Sequence, residues 1–203
     1  FRAIHNEETT ALARVKPTIL LVTDQQTPID YDHQATTPCD PEVLVAMKPY
    51  WHEFWGNASS RQSRAGLHAS AAVNLAREQC SSQLGIQSER LIFTSGATEA
   101  NNLALLGYAR AKSLELGKPG HLITVSTEHH SVIDPLRQLQ REGFRLTELN
   151  PEYDGILSSQ KLIDAFESDT LLVSVMMANN EIGVLQPILE ISKLCSEKGV
   201  TLH

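Results

Sequence analysis

Three short polar clusters in this chain carry residue types that could do chemistry together: Gly96-Ala97-Thr98-Glu99, Glu128-His129-His130 and Asn179-Asn180-Glu181. In the first, Ser95-Gly96 breaks an apolar run and opens an alanine- and leucine-rich helix. Glycine lets the backbone turn tightly, and the first helical amides have no partner inside the helix. Those amides, the positive end of the helix dipole and the Thr98 hydroxyl make a cradle for a phosphate. In the second, an imidazole can stack on a ring and carry protons near neutral pH. In the third, a carboxamide can hydrogen-bond a phenolic oxygen.

These clusters need elements that bring them together. Leu91–Thr94, Leu122–Ser126 and Leu171–Met177 each read as an apolar strand that stops at one of the clusters. Helical patterns follow, to about Glu115, from Val132 to Glu142, and from Pro187 to about Lys198. Phe144–Leu149 alternates like a further strand, Leu162–Phe166 lies in a helix, and Val200–Leu202 begins one more strand. Upstream, Asp40-Pro41 caps a helix whose apolar face is Val43, Leu44, Met47 and Tyr50, with Pro49 helping to end it. Trp51–Ser60 reads as an aromatic loop, and a longer helix runs from near Arg64 to Leu84, where Gly85 stops it. Residues 1–28 show no firm periodicity and read as an arm or edge segment.

Apolar strands alternating with helices predict an α/β fold with a mostly parallel sheet flanked by helices on both faces. Ligands of such sheets bind outside the C-terminal strand ends, where all three clusters fall. Neither GxGxxG nor a Walker lysine is present, which argues against a generic nucleotide site. A phosphorylated aromatic cofactor suits a cradle, an imidazole and a carboxamide. Pyridoxal phosphate (PLP) fits that inventory, and a sugar phosphate is the alternative.

Composition narrows the partners. The 203 residues are 41% hydrophobic and 20% charged, with a formal net charge of -7 and no Lys/Arg cluster, so nucleic acid is not expected. No stretch approaches the roughly 20 apolar residues that span a bilayer, and no signal or import pattern opens the chain, so the cytoplasm is the expected compartment. Cys39, Cys80 and Cys195 are widely spaced without CxxC, which fits neither a disulfide framework nor a metal site.

From about Asp30 to His203 the sequence resembles the first half of a cysteine desulfurase, in the class V aminotransferase group of PLP enzymes. The resemblance is carried by DYDHQATTPCDPEVLVAM, WGNASS, IFTSGATEANNLAL, HLITVSTEHHSV, LVSVMMANNEIGVLQPI and VTLH. It implies an aspartate aminotransferase-like large domain over 41–203, incomplete at the C-terminus, preceded by an arm and small-domain segment over 1–40. Within it, Ala97 and Thr98 would bind the cofactor phosphate, and His129 would stack on the pyridine ring and move substrate protons. Asn180 would contact the ring hydroxyl, with Asn179 shaping the turn. Glu181 and Asn57 would lie on the substrate side, and Ala35-Thr36-Thr37 would close over the mouth. The family usually has FGNPSS followed by a histidine, where this chain has Trp55, Ala58 and Ser63.

The resemblance also implies a function: removal of sulfur from L-cysteine, giving L-alanine and an enzyme persulfide for iron–sulfur cluster assembly. The enzyme would be a homodimer that passes sulfur to a scaffold protein. The family's Schiff-base lysine, pyridine-pairing aspartate and persulfide cysteine have no match among these 203 residues. Two alternatives stay open: a non-catalytic truncated or split module that only binds or dimerises, and a related class V lyase such as a selenocysteine lyase. A truncated sheet would leave an exposed edge and apolar surface.

Overall fold

The computed structural model describes residues 31–203. The reading of residues 1–28 as an arm or edge segment lies outside the described residues. The chain divides into two compact units, Phe1–Thr37 and Pro38–His203. In the first, the Ala35 amide donates to the Asp32 carbonyl (3.0 Å), so Ala35-Thr36-Thr37 follows a tight turn.

The second unit opens with α1 (Pro41–Met47), whose N-cap Asp40 accepts the Glu42 amide (2.7 Å). Pro49 does more than end this helix. It sits in the first turn of a second short helix, α2 (Pro49–His52), so Trp51 is helical and not part of a loop. Proline is tolerated there because a first-turn amide has no helical acceptor to lose. The loop after it lies against α3 (Arg64–Leu84), where a Cβ on Gly56 would strike the Ala65 carbonyl and one on Gly66 the Ser60 carbonyl. Ser63 caps α3, its Oγ accepting the Gly66 amide (3.0 Å), and Gly85 ends it in the left-handed conformation at φ 66°.

The sheet is parallel and four-stranded, in the order β2-β1-β3-β4. Its strands are β1 (His121–Val125), β2 (Arg145–Leu149), β3 (Thr170–Ser174) and β4 (Thr201–Leu202). The crossovers are α5 (His130–Arg141), α6 (Ser159–Ala165) and α7 (Ile188–Lys198), while α4 (Ala97–Leu116) precedes β1. Side chains alternate across each strand and build two cores. Leu122 and Leu172 face α4 and α5 through Leu105, Ala109, Val132, Leu136 and Leu139. Ile123, Val125 and Val173 face α6 and α7 through Leu162, Ile191 and Cys195. Both faces are covered, as a parallel sheet requires.

The expected strand Leu91–Thr94 is a correction. Leu91 is extended (φ -87°, ψ 126°), but the segment pairs with no strand among the described residues. Instead Arg77 donates to the Leu91 carbonyl and sets its guanidinium 5.0 Å from the Phe93 ring centroid. Ile92 and Phe93 remain 65% and 49% exposed. An apolar run states a burial preference, whereas a strand also needs a neighbour to take its amides and carbonyls. The Gly96 cluster is therefore positioned by α4, packed along α5, and not by a sheet strand.

Candidate functional site

The C-terminal ends of β1 and β3 lie side by side, and the chain just beyond each is tied to the other. The Asn179 amide side chain donates to the Thr127 carbonyl (3.0 Å), and the Glu128 carboxylate accepts the Met176 amide. Burial pushes the Glu128 carboxyl above the usual carboxylate range, against the pull of that hydrogen bond. Asn179 also folds its own loop. Its Oδ1 accepts the Glu181 and Ile182 amides (2.9 and 3.0 Å), and its backbone amide donates to the Val184 carbonyl (2.9 Å). Asn179 thus shapes the turn that presents Asn180.

His129 is the N-cap of α5. Its Nδ1 accepts the Ser131 amide (3.0 Å) and lies 2.8 Å from the Ser131 hydroxyl. The imidazole is exposed and is a wall of two cavities. One, of about 320 Å³, is lined by Glu128, Asn180 and Glu181 among others. The other, of about 370 Å³, is lined by Thr98, Asn102 and Ser131. His129 thereby joins two of the predicted contacts, Thr98 on one side and Asn180 on the other.

Ala97 and Thr98 occupy the first turn of α4, and the N-cap Gly96 has no side chain to offer their amides. Glu99 folds back onto the Ser95 amide and hydroxyl (2.6 and 2.7 Å), bonds that hold its carboxyl below the usual range. That occupies the carboxylate with the preceding loop, and the first-turn amides stay uncapped. An anion fits such a helix start.

Asn57 is not brought to these cavities. Its Oδ1 accepts the Ser59 amide (2.9 Å) in the loop before α3, and it lines neither space. His130 also borders both cavities, with Nδ1 4.0 Å from the Asp134 carboxylate. Arg137 lines the Asn180 cavity, but Glu148 holds it through two hydrogen bonds of 3.1 Å. The roles of Glu128, Arg137, Asn101 and Ser131 were not read from sequence. Only Glu128 carried a signal, as a carboxylate just beyond an apolar strand. Among the described residues no group of three or more His, Cys, Asp or Glu could hold a metal, and no helix is long and apolar enough to cross a membrane.

A parallel sheet flanked by helices, with an uncapped helix start, an open imidazole and a carboxamide near one rim, defines an α/β protein whose candidate site offers groups suited to an anionic ligand. The aminotransferase class-V model matches residues 29–203, and the chain belongs to that family. It is 47% identical over 176 residues to the cysteine desulfurase IscS of Rickettsia massiliae, covering 87% of this chain and 42% of that protein. The same enzyme from Dechloromonas aromatica is 45% identical over the same length, with 43% of it covered. Among solved structures, SspA in complex with cysteine superposes with a TM-score of 0.79 at 36% identity, covering 85% of this chain and 49% of that one. DndA from Streptomyces lividans gives 0.72 at 37% identity, covering 87% and 48%. The chain spans somewhat under half the length of these relatives.

Proposed function

We propose that this chain is the cofactor-binding first half of a PLP-dependent cysteine desulfurase, a transferase that gives L-alanine and a protein persulfide for iron–sulfur cluster assembly. In this reading residues 41–203 are a partial PLP-binding large domain and 1–40 an arm and small-domain segment. The observation that carries it is His129 as the common wall of the Thr98 and Asn180 cavities. One phosphorylated ring can then meet the α4 start, the imidazole face and the carboxamide together. The cysteine desulfurase relatives support the same choice.

When bound, PLP supplies the electron sink that weakens bonds at the substrate carbon beside the amine. The residues of this chain do the rest of the holding. The Ala97 amide and the Thr98 amide and hydroxyl take the phosphate, where the helix dipole favours negative charge. His129 covers the ring face and takes part in proton transfer, and the Asn180 carboxamide binds the ring oxygen. Glu181, on the same cavity, serves the substrate side, and Asn57 is a second, more distant candidate for that side. The Schiff-base lysine and persulfide cysteine would come from sequence beyond these 203 residues. We place the enzyme in the cytoplasm as a homodimer serving a sulfur-acceptor scaffold. Trp51 and Trp55, 76% and 73% exposed, support an interface on that face.

The test is to purify the complete gene product with PLP, weigh it, and assay it with L-cysteine and L-selenocysteine. A visible cofactor band, alanine from L-cysteine and sulfur left on the protein are expected. Alanine from selenocysteine alone would move the chain to the selenocysteine lyases. A mass near 22.4 kDa with no alanine would leave a binding or dimerisation module. No visible band in any preparation would favour a sugar-phosphate binder.

A further inference from the structure

The hydrogen bonds around His129 have a direction. A main-chain amide can only donate, so the Ser131 amide 3.0 Å from Nδ1 requires a lone pair on that nitrogen. The proton of a neutral His129 ring is then on Nε2, for which no protein partner exists among the described residues. Behind this contact, the Asn101 amide side chain donates to the Ser131 hydroxyl (2.9 Å). That fills one of the two acceptor sites on Oγ, and with a lone pair on Nδ1 the serine hydroxyl, 2.8 Å away, points its proton at that nitrogen. The chain of donors therefore runs from Asn101 on α4 through Ser131 to His129 on α5, and its open end is Nε2–H. Ser131 is 8% exposed and Asn101 half-buried, so water competes poorly for the bond between them.

We propose that Ser131 and Asn101 are positioning residues that hold His129 as the Nε2–H tautomer, leaving a hydrogen-bond donor and not an acceptor for the bound ligand. This deepens, and for its catalytic meaning rests on, the reading of His129 as the group over the cofactor. It also narrows the proton role of His129. Nε2 of this tautomer cannot take a proton, and Nδ1 can do so only by giving up the Ser131 amide and reversing its bond to the Ser131 hydroxyl. Because α4 carries both Asn101 and the Thr98 phosphate cradle, one helix would set the phosphate position and the imidazole polarity together.

The experiment is nitrogen NMR on the complete protein, labelled with 15N-histidine, with the His129 signals assigned through His129→Gln. A pyridine-like Nδ1 and a pyrrole-like Nε2 are expected at neutral pH. A pyrrole-like Nδ1 would overturn the proposal. In Asn101→Asp a carboxylate accepts where an amide donated, so the serine proton turns away from Nδ1. The two His129 nitrogen shifts are expected to move toward each other, with the His121 and His203 signals unchanged as the check on folding. Ser131→Ala keeps the backbone donor and should shift them the same way by less. Unchanged His129 shifts in both variants would sink the positioning role. Where alanine production is measurable, Asn101→Asp should lower kcat about five- to tenfold with KM near wild type, the size expected from one neutral hydrogen bond. A wild-type protein that makes no alanine refutes the desulfurase reading, while the nitrogen shifts still decide this one.

Discussion

One strand begins with a closed histidine and is followed by an open one. His121 starts β1 fully buried, with Nδ1 2.8 Å from the Thr170 hydroxyl and Nε2 2.9 Å from the Thr147 hydroxyl. It stitches β1 to β3 and β2 at the edge of the sheet away from the cavities. His129, just past the other end, satisfies Nδ1 inside α5 and leaves Nε2 to the cavities. The same side chain is architecture where both nitrogens are satisfied and is open to a ligand where one is left over. The two edges of the sheet differ in the same way. One is a closed polar network, and the other is two rim loops clamped together around an opening.

The largest expected effect tests the open end. In the complete protein, if the proposed desulfurase reaction is present, His129→Ala should lower kcat by about 10²–10⁴, the usual range for a group that handles protons in a reaction. Its cost in stability should stay near that of a lost helix cap, about 1 kcal/mol. His121→Ala should do the opposite. It opens a cavity and strands the Thr147 and Thr170 hydroxyls, costing about 2–4 kcal/mol in denaturant unfolding. Its kcat per folded molecule should be unchanged. If the two variants exchange these signatures, the division between the ends of β1 is wrong.

That division was only half legible in the sequence. The rim was visible because Gly96, His129 and Asn180 each follow an apolar run, and the order of apolar runs and helices defines a parallel sheet. Gly85 marked a helix end through the left-handed conformation it adopts. Leu91–Thr94 was misread because an apolar pattern cannot say whether a strand neighbour is present. Trp51 was misread as loop because the proline that helps end one helix also begins another. The His121 network was not read, since its partners Thr147 and Thr170 are 26 and 49 residues away. The Asn101–Ser131 pair, 30 residues apart, was hidden for the same reason. Spacing along the chain reports helix faces and strand faces, not contacts between elements.

A smaller effect sharpens the open end further. Thr98→Ala removes one hydroxyl from the proposed phosphate cradle and leaves the α4 amides in place. PLP affinity should fall about tenfold, measured by absorbance titration of the complete protein, with little change in unfolding. An unchanged affinity would move the phosphate away from α4.

At the closed end, pH gives the finer test. Burial lowers the His121 pKa, and Glu167, Arg145 and Asp169 face it with opposing charges, Glu167 Oε1 lying 3.6 Å from Nε2. The folded state therefore holds its proton less well than the unfolded chain. The stabilising contribution is complete above the unfolded histidine value, about 6.5, and is lost as pH falls toward the folded value. Unfolding midpoints should drop between about pH 7.5 and pH 5.5. His121→Gln should flatten that slope, and a slope that survives the substitution must come from another group.

The smallest effect is expected at Glu128, where a half-buried carboxyl sits on the open rim. Its folded pKa is raised, so its contribution to stability is present below the unfolded glutamate value and lost as pH rises through the folded one. Glu128→Gln keeps an oxygen to accept the Met176 amide and removes the charge that burial penalises. At neutral pH the variant should gain no more than about 0.5 kcal/mol, because water still reaches part of the side chain and screens it. The gain should vanish near pH 4, where both side chains are neutral in the fold. If the variant instead loses kcat with stability unchanged, the Glu128 charge is used by the bound ligand as well as by the clamp. The open end of β1 would then offer two groups to the ligand, His129 and its neighbour, with the clamp as the second role of that carboxylate.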